Sequence, residues 1–184
     1  MKSSELDLIL EVNNLWEQHA FWTKIAITSI VMGLPYEESV VNRLLRNPLD
    51  FARIFSVYYN RKTAMEFERL LTEHLLFAAK MIKEYIAGNI QDAKKAEMDW
   101  YKNADEIAKF LSHINPYWTK KDWQKAFYIH LEQVEELVDS LINESYNAVI
   151  LITDELESHA LDMAEMMWQG IIKQFHQTSQ LVRS

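Results

Sequence analysis

The chain has 184 residues, of which 49% are hydrophobic and 25% charged, with a net charge of −8. That balance describes one soluble globular domain able to bury its own core, and the acid excess argues against a nucleic-acid surface, which needs a basic stripe. There is no cysteine, so disulfides, thiolate chemistry and iron–sulfur ligation are excluded and a cytoplasmic location is expected.

Three glycines and three prolines leave few places to break a helix. The opening MKSSELDLIL carries acids where a signal peptide has its basic region. Ser3 or Ser4 caps a first helix that runs to Gly33, with Pro35 as the stop. Within it, IAITSIVMGL is too short to cross a bilayer. A short helix, YEESVVNRLLR, follows. NPLD then restarts the chain, with Asn47 as N-cap, Pro48 in the first helical position and Asp50 in the first turn. This segment pauses near Asn60, continues as TAMEFERLLTEHLLFAAKMIKEYIA and ends at Gly88.

A helix over about 90–114 stops before Pro116, where the preceding residue disfavours helical backbone. TKKD at Thr119 is a capping box that opens a helix to about 142. NESYN, 143–147, reads as a tight hairpin before a last helix to about 175, and the tail HQTSQLVRS, 176–184, is expected to fray. Long helices joined by short turns predict a single all-α domain over 1–184. Its expected form is an antiparallel up-and-down bundle: a four-helix core, a fifth long helix and a short crossover helix.

The apolar seams of four long helices are each interrupted by one titratable residue. The first reads Leu8, Val12, Leu15, His19, Trp22; the second Phe67, Leu71, His74, Ala78, Met81. The helix after Thr119 reads Trp123, Phe127, His130, Val134, Leu137, and the last Ile150, Thr153, Glu157, Ala160, Ala164. Depth agrees as well. His19 stands as far before Gly33 as His74 before Gly88, and nearly the same interval separates Asn143 from His130 on one side and from Glu157 on the other. Each is roughly 20 Å from its helix end, at the waist of the bundle. Asp154 sits one turn before Glu157, and Glu97, Asn103 and Asp105 are weaker candidates on the remaining helix. A faint echo, Trp16-x-x-His19, Leu71-x-x-His74 and Phe127-x-x-His130, hints at duplicated helix pairs.

Three neutral imidazoles and one or two carboxylates form a ligand set for a divalent metal: Fe, Mn, Zn or Ni. The expected site is mononuclear, built from His19, His74, His130 and Glu157, with Asp154 as a fifth ligand or a support. The paired Glu-x-x-His of di-iron carboxylate proteins is absent at these positions. Such a site suits either a metal-dependent enzyme of unknown substrate or a metal-binding protein without turnover. The competing reading is a structural or interaction bundle, for instance a homodimer, whose buried His/Glu layer only fixes helix register.

His113 reads as a cation at a helix C-terminus, while His159 and His176 read as bystanders. VNRLLRNPLDFAR reads first as salt-bridged capping around a helix turn, with an anion site as the lesser alternative. With glycines at 33, 88 and 170 alone, no phosphate loop or nucleotide fingerprint can be assembled. Neither a membrane nor a nucleic acid is an expected partner.

The segments LWEQHAFWT, NRLLRNPLDFA, LLTEHLLFAA and WYKNADEIAKFLSHINPYW resemble an uncharacterised helical family of spore-forming Gram-positive bacteria. The resemblance covers nearly the whole chain. Members have been labelled acetylglutamate kinase by automatic transfer, but that activity needs an α/β sheet and glycine-rich phosphate loops. The arrangement also resembles ferritin-like and DinB-type metal-binding bundles, without their ligand spacing. The resemblance implies an all-helical fold and a metal at the seam histidines.

Overall fold

The computed structural model describes residues 4–175, and those residues are helical throughout apart from short turns. The elements are α1 (Glu5–Val31), α2 (Glu37–Leu44), α3 (Asn47–Tyr58), α4 (Arg61–Ile86), α5 (Ile90–Ile114), α6 (Lys120–Ile142) and α7 (Tyr146–Phe175). No helix among the described residues is long and apolar enough to cross a membrane. The tail expected to fray lies outside the described residues.

Most of the boundaries have a local cause. Ser4 and Asp7 form a reciprocal capping box on α1, Asn60 caps α4 by accepting from Thr63 N–H, and Thr119 caps α6 by accepting from Asp122 N–H. The pause expected near Asn60 is a full break: Tyr59 is extended, with φ −111° and ψ −179°, and α4 starts afresh behind its own cap. One expectation fails. Asn47 is not an N-cap but the first residue of α3, fully buried, with its amide turned inward.

The break at Tyr59 changes the architecture. In place of a four-helix core with a fifth helix beside it, the chain makes three hairpins. Helix α1 returns as α2 and α3, α4 returns as α5, and α6 returns as α7. Each outgoing helix ends in the same way. Gly33, Gly88 and Glu144 follow the C-caps with φ of 60°, 78° and 55°. The next amide then reaches back five residues: Leu34 to Ser29 O, Asn89 to Glu84 O, and Ser145 to Ser140 O, at 2.9, 2.9 and 2.8 Å. Each left-handed residue follows its own histidine, His19, His74 or His130, at one and the same interval along the chain.

The return helices also match. Ala52, Ala108 and Ala164 are buried at equivalent places, as are Phe55, Leu111 and Met167 three residues on. Neighbouring hairpins join where α3 meets α4, α5 meets α6 and α7 meets α1, which closes the set. Helix α1 also touches α4 and α6 across the interior. The three outgoing helices, each with one histidine at the same depth, therefore share the middle of the molecule.

The core is dense and aromatic. Trp16, Trp100, Trp123, Phe51, Phe55 and Phe67 are all essentially buried, and Phe55 stacks on Phe67 at 4.3 Å. The Trp118 indole lies so close to Gly170 of α7 that a Cβ there would collide with the ring, while its Nε1–H donates to Met166 O at 2.9 Å.

Candidate functional site

His19, His74 and His130 are 2%, 1% and 4% exposed, so three imidazoles are buried together. The ring centres of His19 and His130 are 5.4 Å apart, and those of His74 and His130 are 6.4 Å apart.

Two of the rings are held by the same device. The Asn47 amide donates to Leu15 O at 3.0 Å, so its Oδ1 is the acceptor and His19 carries its proton on Nδ1, 3.1 Å away. Asn103 donates to Leu70 O at 3.1 Å and accepts from His74 Nδ1–H at 2.9 Å. Leu15 and Leu70 each lie one helical turn before their histidine, and each asparagine comes from the return helix of the same hairpin. Both clamps leave Nε2 as the nitrogen with a free lone pair. They part company there. Trp100 Nε1–H donates to His74 Nε2 at 3.1 Å, whereas His19 Nε2 has no partner among the described residues.

The third hairpin has a histidine where the others have asparagine. His159, at the matching place on the return helix α7, donates from Nε2 to Ala126 O at 2.8 Å, and Ala126 is one turn before His130. The backbone half of the clamp is kept. No hydrogen bond to the His130 ring is formed among the described residues; its neighbours are the other imidazoles and His159.

Burial strongly disfavours the charged form of all three rings. Desolvation is the main cause of lowering His19 to about 4, against the Asn47 bond, and His74 to about 3, against the Asn103 bond. His130 is pushed well below the ordinary value by desolvation and then by His19, His74 and His159. At neutral pH the cluster is uncharged, with nitrogen lone pairs available as ligands or hydrogen-bond acceptors.

The imidazoles floor a cavity of about 40 Å³ between α1, α2 and α4. Its walls are Ala26, Ile27, Leu44, Leu75, Ile82 and neighbouring apolar side chains, with no charged residue among them. Thr23, one turn after His19, also lines it, and its hydroxyl is buried without a partner. Helix α2 roofs the cavity. It is fastened by Lys83 to Glu37 at 2.6 Å and by Arg43, which donates to Gln18 Oε1 at 2.9 Å and lies 4.9 Å from the Trp22 ring centre.

The expected carboxylates do not join the cluster. Glu157 and Asp154 both face solvent on α7. The expected depth is right but the face is wrong: the buried stripe runs Val149, Ile152, Leu156, Ala160, Met163 rather than through Ile150 and Glu157. Leu156 and Glu157 lie four and three residues before Ala160, so both fit the helical period, and packing against α1 and α6 chooses Leu156. His159, a bystander by its sequence pattern, occupies the place opposite α6 expected of Glu157. Asn103, a weaker candidate, is part of the cluster. Asp105 instead accepts from Gln124 and Tyr128, Glu97 lies with Glu135 in a separate shallow pocket, and His113 is exposed. His176 lies outside the described residues.

Sequence reasoning misses Asn47, Trp100 and His159. The overlooked signal is a repeated interval, nearly equal in all three hairpins, from each seam histidine to a polar residue on the returning helix. No group of three or more His, Cys, Asp or Glu among the described residues is arranged to hold a metal ion as it stands. No protein family, curated protein or solved structure matches the chain significantly.

Proposed function

We propose that this protein binds one divalent metal ion between α1, α4 and α6 through His19, His74 and His130, in a cytoplasmic bundle. The observation that carries the reading is the pair of matching asparagine clamps beside an imidazole with no partner. A hydrogen bond on the far nitrogen is how a ligating histidine has its tautomer and ring orientation fixed. Asn47 and Asn103 do this for His19 and His74, leaving Nε2 as the donor atom in each.

The donor chemistry fits Fe, Mn, Zn or Ni. Two imidazoles bound tetrahedrally to an ion about 2.0 Å from each nitrogen have ring centres roughly 5 Å apart. His19 and His130 are near that spacing, and His74 has to draw in and exchange the Trp100 N–H for the ion. With Glu157 and Asp154 out of reach, three protein ligands leave an open position. A bound ion there supplies Lewis acidity or an activated water. The chain's own part is to fix the rings through Asn47 and Asn103 and to exclude bulk water with α2. Use of a helical interior for metal is also what the resemblance to ferritin-like and DinB-type bundles, read from the sequence alone, implies. A metal-dependent enzyme and a binding protein without turnover share this description.

A second reading is favoured by the Trp100–His74 bond, which already satisfies His74: a ligand-free polar layer that fixes helix register in a structural or self-associating bundle. Elemental analysis of protein purified without chelator or nickel affinity separates the two. The metal reading expects near one ion per chain, lost in His130→Leu while the variant remains folded. Folded protein without metal, with a melting temperature indifferent to added Zn, Fe(II) or Mn, overturns it in favour of the polar layer.

A further inference from the structure

The three hairpins agree closely except at one place, and the cavity lies there. In the second and third hairpins the return helices α5 and α7 run without interruption. In the first, the return helix is split at Leu45 and Arg46 into α2 and α3. There the step from left-handed turn to clamp, Gly33 to Asn47, is also one residue shorter than Gly88 to Asn103 or Glu144 to His159. The detached piece, α2, and its C-cap Leu45 supply Val41, Leu44 and Leu45 to the cavity wall.

What faces the space is chemically specific. The walls are aliphatic and carry no charge, so a charged organic molecule, which the imidazoles cannot ligate as they would a metal ion, would lose its hydration without compensation. Three polar groups border it with no hydrogen-bond partner among the described residues: His19 Nε2 as an acceptor, the His130 ring and the Thr23 hydroxyl, which is fully buried. The Thr23 hydroxyl is enclosed, so bulk water does not satisfy it. Buried polar atoms left open in this way call for an occupant.

We propose that the cavity beneath α2 is a binding site for a small monohydroxylic alcohol. Its aliphatic body lies among Ala26, Ile27, Leu44 and Ile82, and its hydroxyl donates to His19 Nε2 while accepting from Thr23 or His130. A hydroxyl is the smallest neutral group that both donates and accepts. The cavity of about 40 Å³ exceeds the roughly 10–15 Å³ that one water needs on the same measure, so the occupant has a few heavy atoms. This site does not depend on the metal reading, because every polar partner named is present without an ion.

The test uses chelator-treated full-length protein with labelled histidine rings, titrated by NMR with 2-methylpropan-1-ol, and in parallel with isobutyrate and isobutylammonium. The expected result is saturable movement of the His19 and His130 ring signals at millimolar alcohol, and none with either charged analogue. Thr23→Val, which keeps the side-chain shape, should weaken the alcohol several-fold, and Ala26→Leu, which fills the space, should abolish the effect. No saturable movement in the parent protein overturns the proposal, as does equal movement with the charged analogues or an unchanged affinity in Thr23→Val. Metal content is measured separately, so failure of either idea leaves the other standing.

Discussion

His74 and His130 sit at equivalent positions on neighbouring hairpins, 6.4 Å apart between ring centres, yet their surroundings are opposite. His74 uses both nitrogens, one on Asn103 and one on Trp100. Among the described residues His130 uses neither, because the residue in the asparagine place is His159, whose Nε2–H is committed to Ala126 O. One repeated position is thus a locked strut in one hairpin and an available imidazole in the next. Burial is nearly the same in both, so burial cannot distinguish a structural histidine from a reactive one. The hydrogen-bond partners do.

Acid should produce the largest effect and test what the two rings share. Both are neutral when folded, with pKa values depressed below the unfolded value of about 6.5. The unfolded chain therefore binds more protons below about pH 6.5, and stability present above that pH is lost as pH falls. For metal-free protein His19 and His74 should each cost about 1.4 kcal/mol per pH unit between roughly pH 6 and pH 4, with His130 adding in the same direction. Urea unfolding across that range checks this; a flat profile would mean the rings are not buried neutral.

Next comes the partnered side. Asn103→Ala strands the His74 Nδ1–H in the core and should destabilise by about 2–3 kcal/mol in denaturant unfolding at neutral pH. His159→Asn works in the opposite direction by completing the third clamp. It should fix the His130 proton on Nδ1, visible in ¹⁵N ring shifts, and stabilise by about 1 kcal/mol. His130→Leu in metal-free protein should cost less than about 1 kcal/mol, since no hydrogen bond is lost; a loss as large as that of Asn103→Ala would erase the contrast. The smallest effect concerns the turn. Glu144 holds φ 55° where the other hairpins have glycine, and it places an acid at a helix C-terminus with no basic residue in the last turn. Glu144→Gly should raise stability by about 0.5 kcal/mol, read as a small rise in midpoint denaturant concentration.

Much of the fold can be read along the chain. Helix ends depend on neighbours within four or five residues, so Ser4, Thr119, Gly33 and Gly88 mark their boundaries correctly. The depth of the three histidines is also legible, because rise along a helix is a fixed distance per residue. Face is harder. Glu157 and Leu156 are equally compatible with the period, and Asn47 carries a cap signal at a position where its amide turns inward to His19.

The sequence alone therefore determined an all-helical chain and three imidazoles at one level, because capping, breaking and helical rise are local. Only the tertiary structure decided that those imidazoles meet, that Asn47 and Asn103 hold two of them while His130 stays open, and that the split return helix leaves a cavity above them. Which side of a helix is buried, and which group answers a polar atom across the core, depends on neighbours contributed by other helices, and no local pattern encodes the angle at which they arrive.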